Sequence, residues 1–151
     1  MPRPERIVVL TGAGISAESG LATFRGEDGL WEGHRIEEVA TPAAWWRDPE
    51  TVWRFYTLRR RALLDVEPND AHHALTRLER EGPEMLLITQ NVDDLHQRAG
   101  SASLLPMHGQ LRMLRCERSG RNEERMSEAD LDPLTFVECS CCTTPSRMRP
   151  D

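Results

Sequence analysis

A short apolar run that leads directly into a glycine-rich turn is the feature that most constrains the fold of this chain. Ile7–Leu10 has the β-branched and aliphatic character of a strand buried on both faces. It is followed by Gly12-x-Gly14-x-x-Ala17, the G-x-G-x-x-A form of a dinucleotide-binding turn. Gly12 permits a tight turn, Gly14 lets a pyrophosphate approach the backbone, and Ala17 lets helix and strand pack closely. Taken alone, the pattern also fits a tight strand-to-helix turn without a ligand.

The acidic residue expected about 20 positions beyond such a turn is missing from its usual context. Glu32 has roughly the right spacing, but no apolar run precedes it. This departure argues against an ordinary nicotinamide-dependent dehydrogenase.

Two further runs are strand-like. Met85–Thr89 is predicted as a second buried strand, and Leu104–Gly109 as a short strand followed by a turn. Helical spacing predicts a helix over residues 49–65, and Asn69 or Asp70 is positioned to cap the next one. The order strand, glycine-rich turn, helices, strand, helix, strand predicts an α/β fold with a parallel sheet.

Only three core strands can be placed, whereas an open doubly wound sheet has about five or six. The sequence ends at Arg149-Pro150-Asp151 with neither a helix cap nor a polar tail. We therefore expect an incomplete sheet, in a chain that is the N-terminal part of a longer fold.

The bulk composition restricts the class of protein. The chain has 151 residues, which favours one domain, and a formal net charge of −6. No block of Lys and Arg is large enough to indicate a nucleic-acid surface, and the local cluster Arg59–Arg61 is expected on a solvated helix face. Ile7–Leu10 is too short for a signal peptide or a membrane span. We therefore expect a cytoplasmic protein that binds neither nucleic acid nor membrane.

Three longer motifs occur in a fixed order along the chain. The first is Gly12–Gly20 with Thr23–Gly26, the second is Thr89–His96, and the third is Met107–Gly109. Together they resemble the signatures of the sirtuins, which are NAD-dependent protein-lysine deacylases. The resemblance runs from about residue 6 to residue 151.

The resemblance implies a Rossmann-like NAD-binding domain made of residues 1–30 and 71–111. It also implies a smaller domain, with a helical module over residues 31–70 and a zinc-ribbon-like module over residues 112–145. Sirtuins then return to the large domain with further strands, which this chain lacks.

The resemblance also implies the residues that contact NAD⁺. Ala13 and Gly14 line its phosphates, Phe24 and Arg25 lie in a loop that closes over the nicotinamide and its ribose, and Asp93 lies near the carboxamide. The full expected set is Gly12, Ala13, Gly14, Ser16, Ala17, Glu18, Phe24, Arg25, Trp31, Gln90, Asn91, Val92, Asp93 and His108.

His108 is the expected catalytic general base. In the implied reaction the acyl oxygen of a modified protein lysine attacks the ribose C1′ as nicotinamide leaves, and a ribose hydroxyl then loses a proton. An imidazole that titrates near neutrality suits this second step. The products are free lysine, nicotinamide and O-acyl-ADP-ribose. Outside its motif, His108 would more often be a structural histidine, which is the role expected for His34, His72, His73 and His96.

Tyr56 and Arg59 are three residues apart and therefore share a helix face. This Tyr-x-x-Arg pair resembles the one that marks sirtuins acting on succinyl and malonyl groups. An Arg fork binds a carboxylate bidentately, and a phenol donates to it. The alternative is a surface helix on which Tyr56 packs and Arg59 is solvated.

The four cysteines indicate metal binding or buried thiols before disulfides. A structural zinc site usually has two C-x-x-C pairs. Cys139-x-x-Cys142 supplies one, with Cys141 inside it, but Cys116 is followed three residues later by Ser119. The expected ligands are Cys116, Cys139 and Cys142, completed by water or by Cys141. Folding without metal and a redox role for Cys139 and Cys142 remain alternatives.

The leading hypothesis is therefore a monomeric enzyme that removes acetyl, and also succinyl or malonyl, groups from the lysines of proteins or peptides. The alternative is an inactive truncated fragment that is at most a weak NAD-binding or interaction module. A dehydrogenase is a third, disfavoured class.

Overall fold

A computed structural model describes residues 4–22, 33–144 and 146–151 of the chain. The expectations for Phe24, Arg25 and Trp31 concern residues outside the described part. The chain divides into two compact units. The first comprises Met1–Thr23 and Val66–Gln110, and the second comprises Phe24–Asp65 and Leu111–Asp151.

The helices and strands are unevenly distributed along the chain, with several helices between the first two strands and the other strands further on. In order, they are β1 (Arg6–Thr11), a 3-10 helix (Ala13–Ser19), α1 (Ile36–Val39), α2 (Pro42–Arg47), α3 (Pro49–Ala62), a 3-10 helix (Leu63–Asp65), α4 (Asp70–Glu81), β2 (Glu84–Thr89), α5 (Leu95–Ala99), β3 (Leu104–Pro106), β4 (Met113–Cys116), β5 (Asn122–Glu124), a 3-10 helix (Glu128–Leu131) and β6 (Met148–Pro150).

The first unit is built on a parallel sheet of three strands in the order β1-β2-β3. Val8 pairs with Leu86, and Ile88 pairs with Leu105, so the three strands end at the same edge. The three strands expected from the sequence are present, and the α/β class with a Rossmann-like parallel sheet is confirmed.

The two faces of this sheet differ in burial. Met85 and Leu87 of β2 point to a covered face, with 5% and 0% of their surface exposed. The opposite face, called the open sheet face below, consists of Val8, Leu10, Leu86 and Leu105, which are 66%, 60%, 41% and 50% exposed. The prediction that β1 and β2 are buried on both faces is therefore wrong in this structure. The apolar character of the two runs gave no means of distinguishing a covered face from an open one.

Helix α4 begins where the sequence predicts and is tied to the glycine-rich turn. Asn69 is its N-cap, and its Oδ1 accepts a hydrogen bond from the Ala71 N–H at 3.0 Å. Its Nδ2 donates to the Ile15 carbonyl at 2.7 Å and to the Ser19 hydroxyl at 3.0 Å. One side chain therefore starts the helix and also anchors the 3-10 segment that follows β1.

The second unit combines its helices and an antiparallel sheet, in the order β5-β4-β6, around one core. The core consists of Ala44, Trp45, Val52, Trp53, Leu114, Cys116, Val137, Cys139 and Met148. The indole N–H of Trp53 donates to the Asp132 carbonyl at 2.9 Å, which satisfies its polar atom inside this core.

The predicted helix over residues 49–65 is confirmed as α3 and the 3-10 helix that continues it. Asp48 caps α3 by accepting the Thr51 N–H at 3.1 Å, and Pro49 occupies its first position. None of the helices in the described ranges is both long and apolar enough to cross a membrane.

The basic cluster on α3 is not the solvated face that its composition suggests. Arg59 and Arg60 are only 7% and 1% exposed. Arg60 Nη1 donates to the Asp130 carbonyl at 3.0 Å, and Arg61 Nε donates to the Leu131 carbonyl at 2.6 Å. The expectation was wrong for Arg59 and Arg60, whereas Arg61 is exposed. Carbonyls of the packed 3-10 helix Glu128–Leu131 accept the guanidinium donors of Arg60 and Arg61. Burial lowers the pKa of Arg60 to about 10.

Candidate functional site

The three sirtuin-like motifs all follow strands of the parallel sheet. The glycine-rich turn follows β1, Gln90–Asp93 follows β2, and the His108 turn follows β3. Because parallel strands end at one edge, the motifs meet at the carboxyl end of the sheet, where α/β proteins bind ligands. The Gln90 N–H donates to the Thr11 carbonyl at 3.0 Å, and the Met107 N–H donates to the Thr89 carbonyl at 2.9 Å. These bonds join each motif to its neighbour.

Neither the backbone conformation nor the packing of the described residues requires glycine at positions 12 and 14. Gly12 has an extended backbone with φ −137°, and Gly14 is not among the glycines with positive φ. Among the described residues, no heavy atom lies within 4 Å of a Cβ built on Gly12 or Gly14. The space above these backbones is therefore open, as a closely approaching pyrophosphate requires.

Ser16 lies at the centre of a buried polar network. Its side chain is 1% exposed, and its hydroxyl donates to Asp93 Oδ2 at 2.9 Å. Ser16 Oγ also accepts a hydrogen bond from Asn91 Nδ2 at 3.1 Å and lies 3.5 Å from His72 Nε2. The glycine-rich turn and the motif after β2 are thus joined by side chains as well as by backbone.

Asp93 is held in place from two sides. Its Oδ1 accepts the Leu95 N–H at 3.1 Å at the start of α5, while Oδ2 accepts from Ser16. Burial is the main influence on this carboxyl group and raises its pKa, and the hydrogen bonds oppose that effect. The arrangement fixes one polar group at the sheet edge, where an amide ligand can be recognised.

His72 and His96 form a buried pair beneath this network. Their ring centroids are 4.8 Å apart, and both side chains are at most 1% exposed. His72 Nδ1 lies 3.0 Å from Asn69 Oδ1 at the α4 cap, and His96 Nε2 lies 3.0 Å from Thr11 Oγ1, which agrees with the structural role expected for both histidines. Burial lowers the pKa of His72. The pKa of His96 is lowered to about 4, mainly by burial and to a smaller extent by the neighbouring His72. Both rings are therefore neutral at physiological pH.

We expect His96 to make the protein acid-sensitive. Its pKa falls from 6.5 to about 4 on folding, so below pH 6.5 the unfolded chain binds the proton first. Its stabilising contribution is complete above pH 6.5 and declines by about 1.4 kcal/mol per pH unit as the pH falls towards 4. Urea unfolding of His96→Gln from pH 7.5 to 4.5 should show a correspondingly shallower decline. His73→Gln, at an exposed position of α4, is the control and should keep the wild-type slope. Equal slopes for His96→Gln and wild type would contradict this account.

The His108 turn projects from the end of β3. His108 is exposed and is followed by Gly109, whose φ of 78° lies in the left-handed region that favours glycine. The Met107 N–H bond to Thr89 fixes the start of this turn on β2. An exposed imidazole at the sheet edge can reach a bound ligand.

The other expected cofactor residues in the described part of the chain lie at the same edge and differ in exposure. Ala13 and Val92 are half-buried, whereas Ala17, Glu18 and Gln90 are exposed.

The contact between Ser16 and His72 was not predicted from the sequence. The only signal for it was the spacing of Asn69 and His72, which places His72 at the third position of a helix and lets it join the cap.

Tyr56 and Arg59 lie on one face of α3 in the second unit. Arg59 Nη1 donates to the Phe55 carbonyl at 2.6 Å, and the guanidinium carbon lies 3.2 Å from the centroid of the Phe55 ring. Tyr56 is half-buried, and burial raises its pKa, so its phenol is neutral and can donate. The alternative in which Arg59 is solvated is wrong.

All four cysteines lie together in the second unit. Their sulfur atoms are within 4.8 Å of one another, and all four are free thiols. Cys116 and Cys139 are buried, and Cys141 and Cys142 are half-buried. Hydrogen bonds from Ser119 lower the pKa of the Cys116 thiol to about 5. The hydrogen bond with Cys141 raises the pKa of Cys139 to about 12, and burial raises that of Cys142, so metal binding would have to displace the protons of these two thiols. The set fits a soft divalent metal ion such as Zn²⁺, which binds thiolate rather than thiol.

The sequence matches a known protein family over most of its length. A profile of the Sir2 family matches residues 12–151. The chain belongs to the Sir2 family, and the resemblance to the sirtuins is thereby confirmed.

Several relatives are similar to nearly the whole chain. An NAD-dependent protein deacylase of Yersinia pseudotuberculosis is 53% identical over 147 residues, which cover 95% of this chain and 51% of the relative. The NAD-dependent protein deacylase SIR2rp3 of Trypanosoma brucei brucei is 50% identical over 155 residues, with 99% and 62% coverage. A solved Sir2 homologue in complex with NAD is 46% identical with a TM-score of 0.84, over 97% of this chain and 56% of that chain. The chain spans about half the length of the curated relatives that it matches.

Proposed function

We propose that this protein acts in the NAD-dependent removal of acyl groups from protein lysines. The observation that carries the proposal is the arrangement at the sheet edge. The open glycine backbones, the Ser16-centred network and the exposed His108 all follow adjacent parallel strands. The names of the relatives and the NAD complex of a Sir2 homologue support the same activity.

Each group at the edge has a separate task in this proposal. Gly12 and Gly14 leave backbone free for the phosphates of NAD⁺, and Asn91 and Asp93 orient its nicotinamide end. Bound NAD⁺ supplies an electrophilic ribose carbon and a hydroxyl that receives the acyl group. His108 takes the proton from that hydroxyl, with the acylated lysine of a protein or peptide as the second substrate.

Gly14→Ala tests the cofactor part of this proposal. No described atom lies within 4 Å of the added Cβ, so the variant should fold with an unchanged melting temperature. The methyl group should instead meet the bound phosphates, at a cost of about 1–3 kcal/mol, or a roughly 5- to 150-fold weaker NAD⁺ affinity by calorimetry. Ala102→Ser changes an exposed residue of the same unit that lies outside the expected NAD⁺ set, and it is the control. Unaltered NAD⁺ affinity in Gly14→Ala would refute the placement of the phosphates.

We further propose that Tyr56 and Arg59 select acidic acyl groups such as succinyl and malonyl. Packing on Phe55 and the bond to its carbonyl fix the Arg59 side chain, so little further entropy is lost when a carboxylate binds. The neutral phenol of Tyr56 supplies a second donor on the same helix face.

Arg59→Met should reduce the preference for succinyl-lysine over acetyl-lysine. Loss of a charge-assisted pair is worth about 1.5–3 kcal/mol, so the ratio of the two kcat/KM values should fall roughly 10- to 150-fold. Arg54→Met changes an exposed arginine of the same helix and should leave the ratio unchanged. If both rates fall equally in Arg59→Met, Arg59 serves only the folding of α3.

We also propose that the four-cysteine cluster holds a structural Zn²⁺. The cluster lies against the core shared by the helices and the antiparallel sheet, so metal binding would stabilise the whole second unit. Chelation of the metal should therefore lower the melting temperature of this unit.

The competing proposal is that the chain alone binds NAD⁺ weakly, or binds a protein, without turnover. The exposed aliphatic residues of the open sheet face favour it, because such a surface promotes association. The two proposals separate when residues 1–151 are assayed alone and in a fusion that continues, after Asp151, with the C-terminal segment of the Yersinia relative. The deacylase proposal predicts that the fusion turns over substrate and that substitutions in residues 1–151 abolish this turnover. The competing proposal predicts no turnover in either protein.

A further inference from the structure

The cysteine cluster departs from the arrangement expected at the zinc site. Only three of its members occupy positions in the two C-x-x-C patterns, because Ser119 stands where the first pattern requires its second cysteine. We infer that Cys141 is the fourth zinc ligand and that Ser119 is a hydrogen-bonding neighbour, so that the site is an all-thiolate one. This inference rests on the zinc proposal above and is independent of the deacylase activity.

The distances between the sulfur atoms suit four ligands of one ion. A tetrahedral site with Zn–S bonds of about 2.3 Å places its sulfurs about 3.8 Å apart. Cys141 Sγ lies 3.9 Å from Cys142 Sγ, which in turn lies 3.6 Å from Cys116 Sγ. All four sulfurs lie within 4.8 Å of one another. Cys141 therefore needs no large movement to complete the site.

Ser119 is next to the cluster but is chemically the weaker candidate. Its hydroxyl lies 3.1 Å from Cys141 Sγ and accepts the Arg121 N–H at 3.2 Å. A serine hydroxyl stays protonated near neutral pH, whereas a thiolate is the form of cysteine that binds metal. With a thiolate already beside it, the hydroxyl can donate to sulfur and orient it, as groups around metal ligands do.

Backbone donors support the same assignment. The Ser119 N–H donates to Cys116 Sγ at 3.4 Å, and the Cys141 N–H donates to Cys139 Sγ at 3.1 Å. The second bond folds the 139–141 segment back on itself and brings Cys141 towards the other thiols. The Cys141 side chain also packs against the core of the second unit. The fold of the second unit therefore fixes the position of the Cys141 side chain.

X-ray absorption at the zinc edge is the direct test, applied to the purified 151-residue chain after loading with one equivalent of Zn²⁺. The inference predicts four sulfur neighbours at about 2.3 Å. Cys141→Ser should give three sulfurs and one oxygen or nitrogen, and should weaken Zn²⁺ binding by more than about 100-fold, beyond the usual cost of an outer-shell change. Ser119→Ala is the matched control and should retain four sulfurs.

The double variant Ser119→Cys/Cys141→Ser keeps the test decisive if Cys141→Ser fails to fold. A sulfur at position 119 would lie beside the place of the Cys141 sulfur, so the double variant should recover the four-sulfur shell and the affinity for Zn²⁺. If Cys141 has only a core role, the double variant should instead show one more sulfur neighbour than the wild-type chain, because the sulfur introduced at position 119 would complete the first C-x-x-C pair.

Three results would overturn the inference, with different consequences. A three-sulfur shell in the wild-type chain, or an unchanged shell in Cys141→Ser, would exclude Cys141 but leave the zinc proposal standing. Failure of the wild-type chain to bind Zn²⁺ under reducing conditions would exclude the zinc proposal as well. None of these results would bear on the NAD⁺ site.

Discussion

His108→Ala should lower the rate of deacylation by roughly 10²–10⁴-fold, the range typical of losing a general base. The side chain is exposed at the end of β3, so its removal should leave the fold and the melting temperature unchanged. NAD⁺ affinity should also change little if the imidazole acts mainly on the proton. The rate is measured as O-acyl-ADP-ribose formed per unit time, in the fusion described above and in the chain alone if it turns over.

His73→Ala is the matched control for this experiment. His73 is exposed on α4, and its replacement should leave the rate unchanged. Full activity in His108→Ala would show that another group takes the proton.

Trp53→Ala should destabilise the second unit by about 3–5 kcal/mol. The indole is 1% exposed, packs 5.8 Å from the Phe136 ring centroid to centroid, and donates to the Asp132 carbonyl. Its removal leaves a cavity in the shared core and takes a hydrogen-bond donor from the half-buried Asp132 carbonyl. The measurement is urea unfolding followed by a probe in the second unit, such as fluorescence of the remaining tryptophans.

Trp46→Ala is the internal comparison, because Trp46 is 65% exposed on the neighbouring helix α2. Its replacement should change the free energy of unfolding by less than about 0.5 kcal/mol. Trp53→Phe retains most of the apolar volume and should recover much of the loss. If Trp53→Ala and Trp46→Ala cost the same, the core assigned to the second unit is wrong.

The parts of this protein that were predictable from sequence are those fixed by local chemistry. A β-branched run followed by closely spaced glycines forms β1 and its turn, and Asn69 caps the helix after Pro68. Parallel pairing of the strands then brings the motifs that follow them to one edge of the sheet. The ordered motifs predicted this edge because their residues are adjacent in sequence to the strands that carry them.

The parts that were not predictable depend on contacts between distant segments. Nothing local distinguishes the buried Arg60 from a solvated arginine, since its acceptor is the carbonyl of Asp130, 70 residues away. The contact between Ser16 and His72 likewise spans 56 residues. The proximity of Cys141 to Cys116 depends on how the sheet of the second unit folds, whereas sequence spacing alone identified only Cys139 and Cys142 as a pair.

The central claim is that residues of this chain catalyse transfer of an acyl group from lysine to the ribose of NAD⁺. The most direct measurement is mass spectrometry of all products after the fusion protein is mixed with NAD⁺ and a succinyl- or acetyl-lysine peptide. The account predicts equal amounts of free-lysine peptide, nicotinamide and O-acyl-ADP-ribose, and loss of all three in His108→Ala. Deacylation that proceeds without NAD⁺ and releases the free carboxylic acid, or conversion of NAD⁺ to NADH, would contradict it.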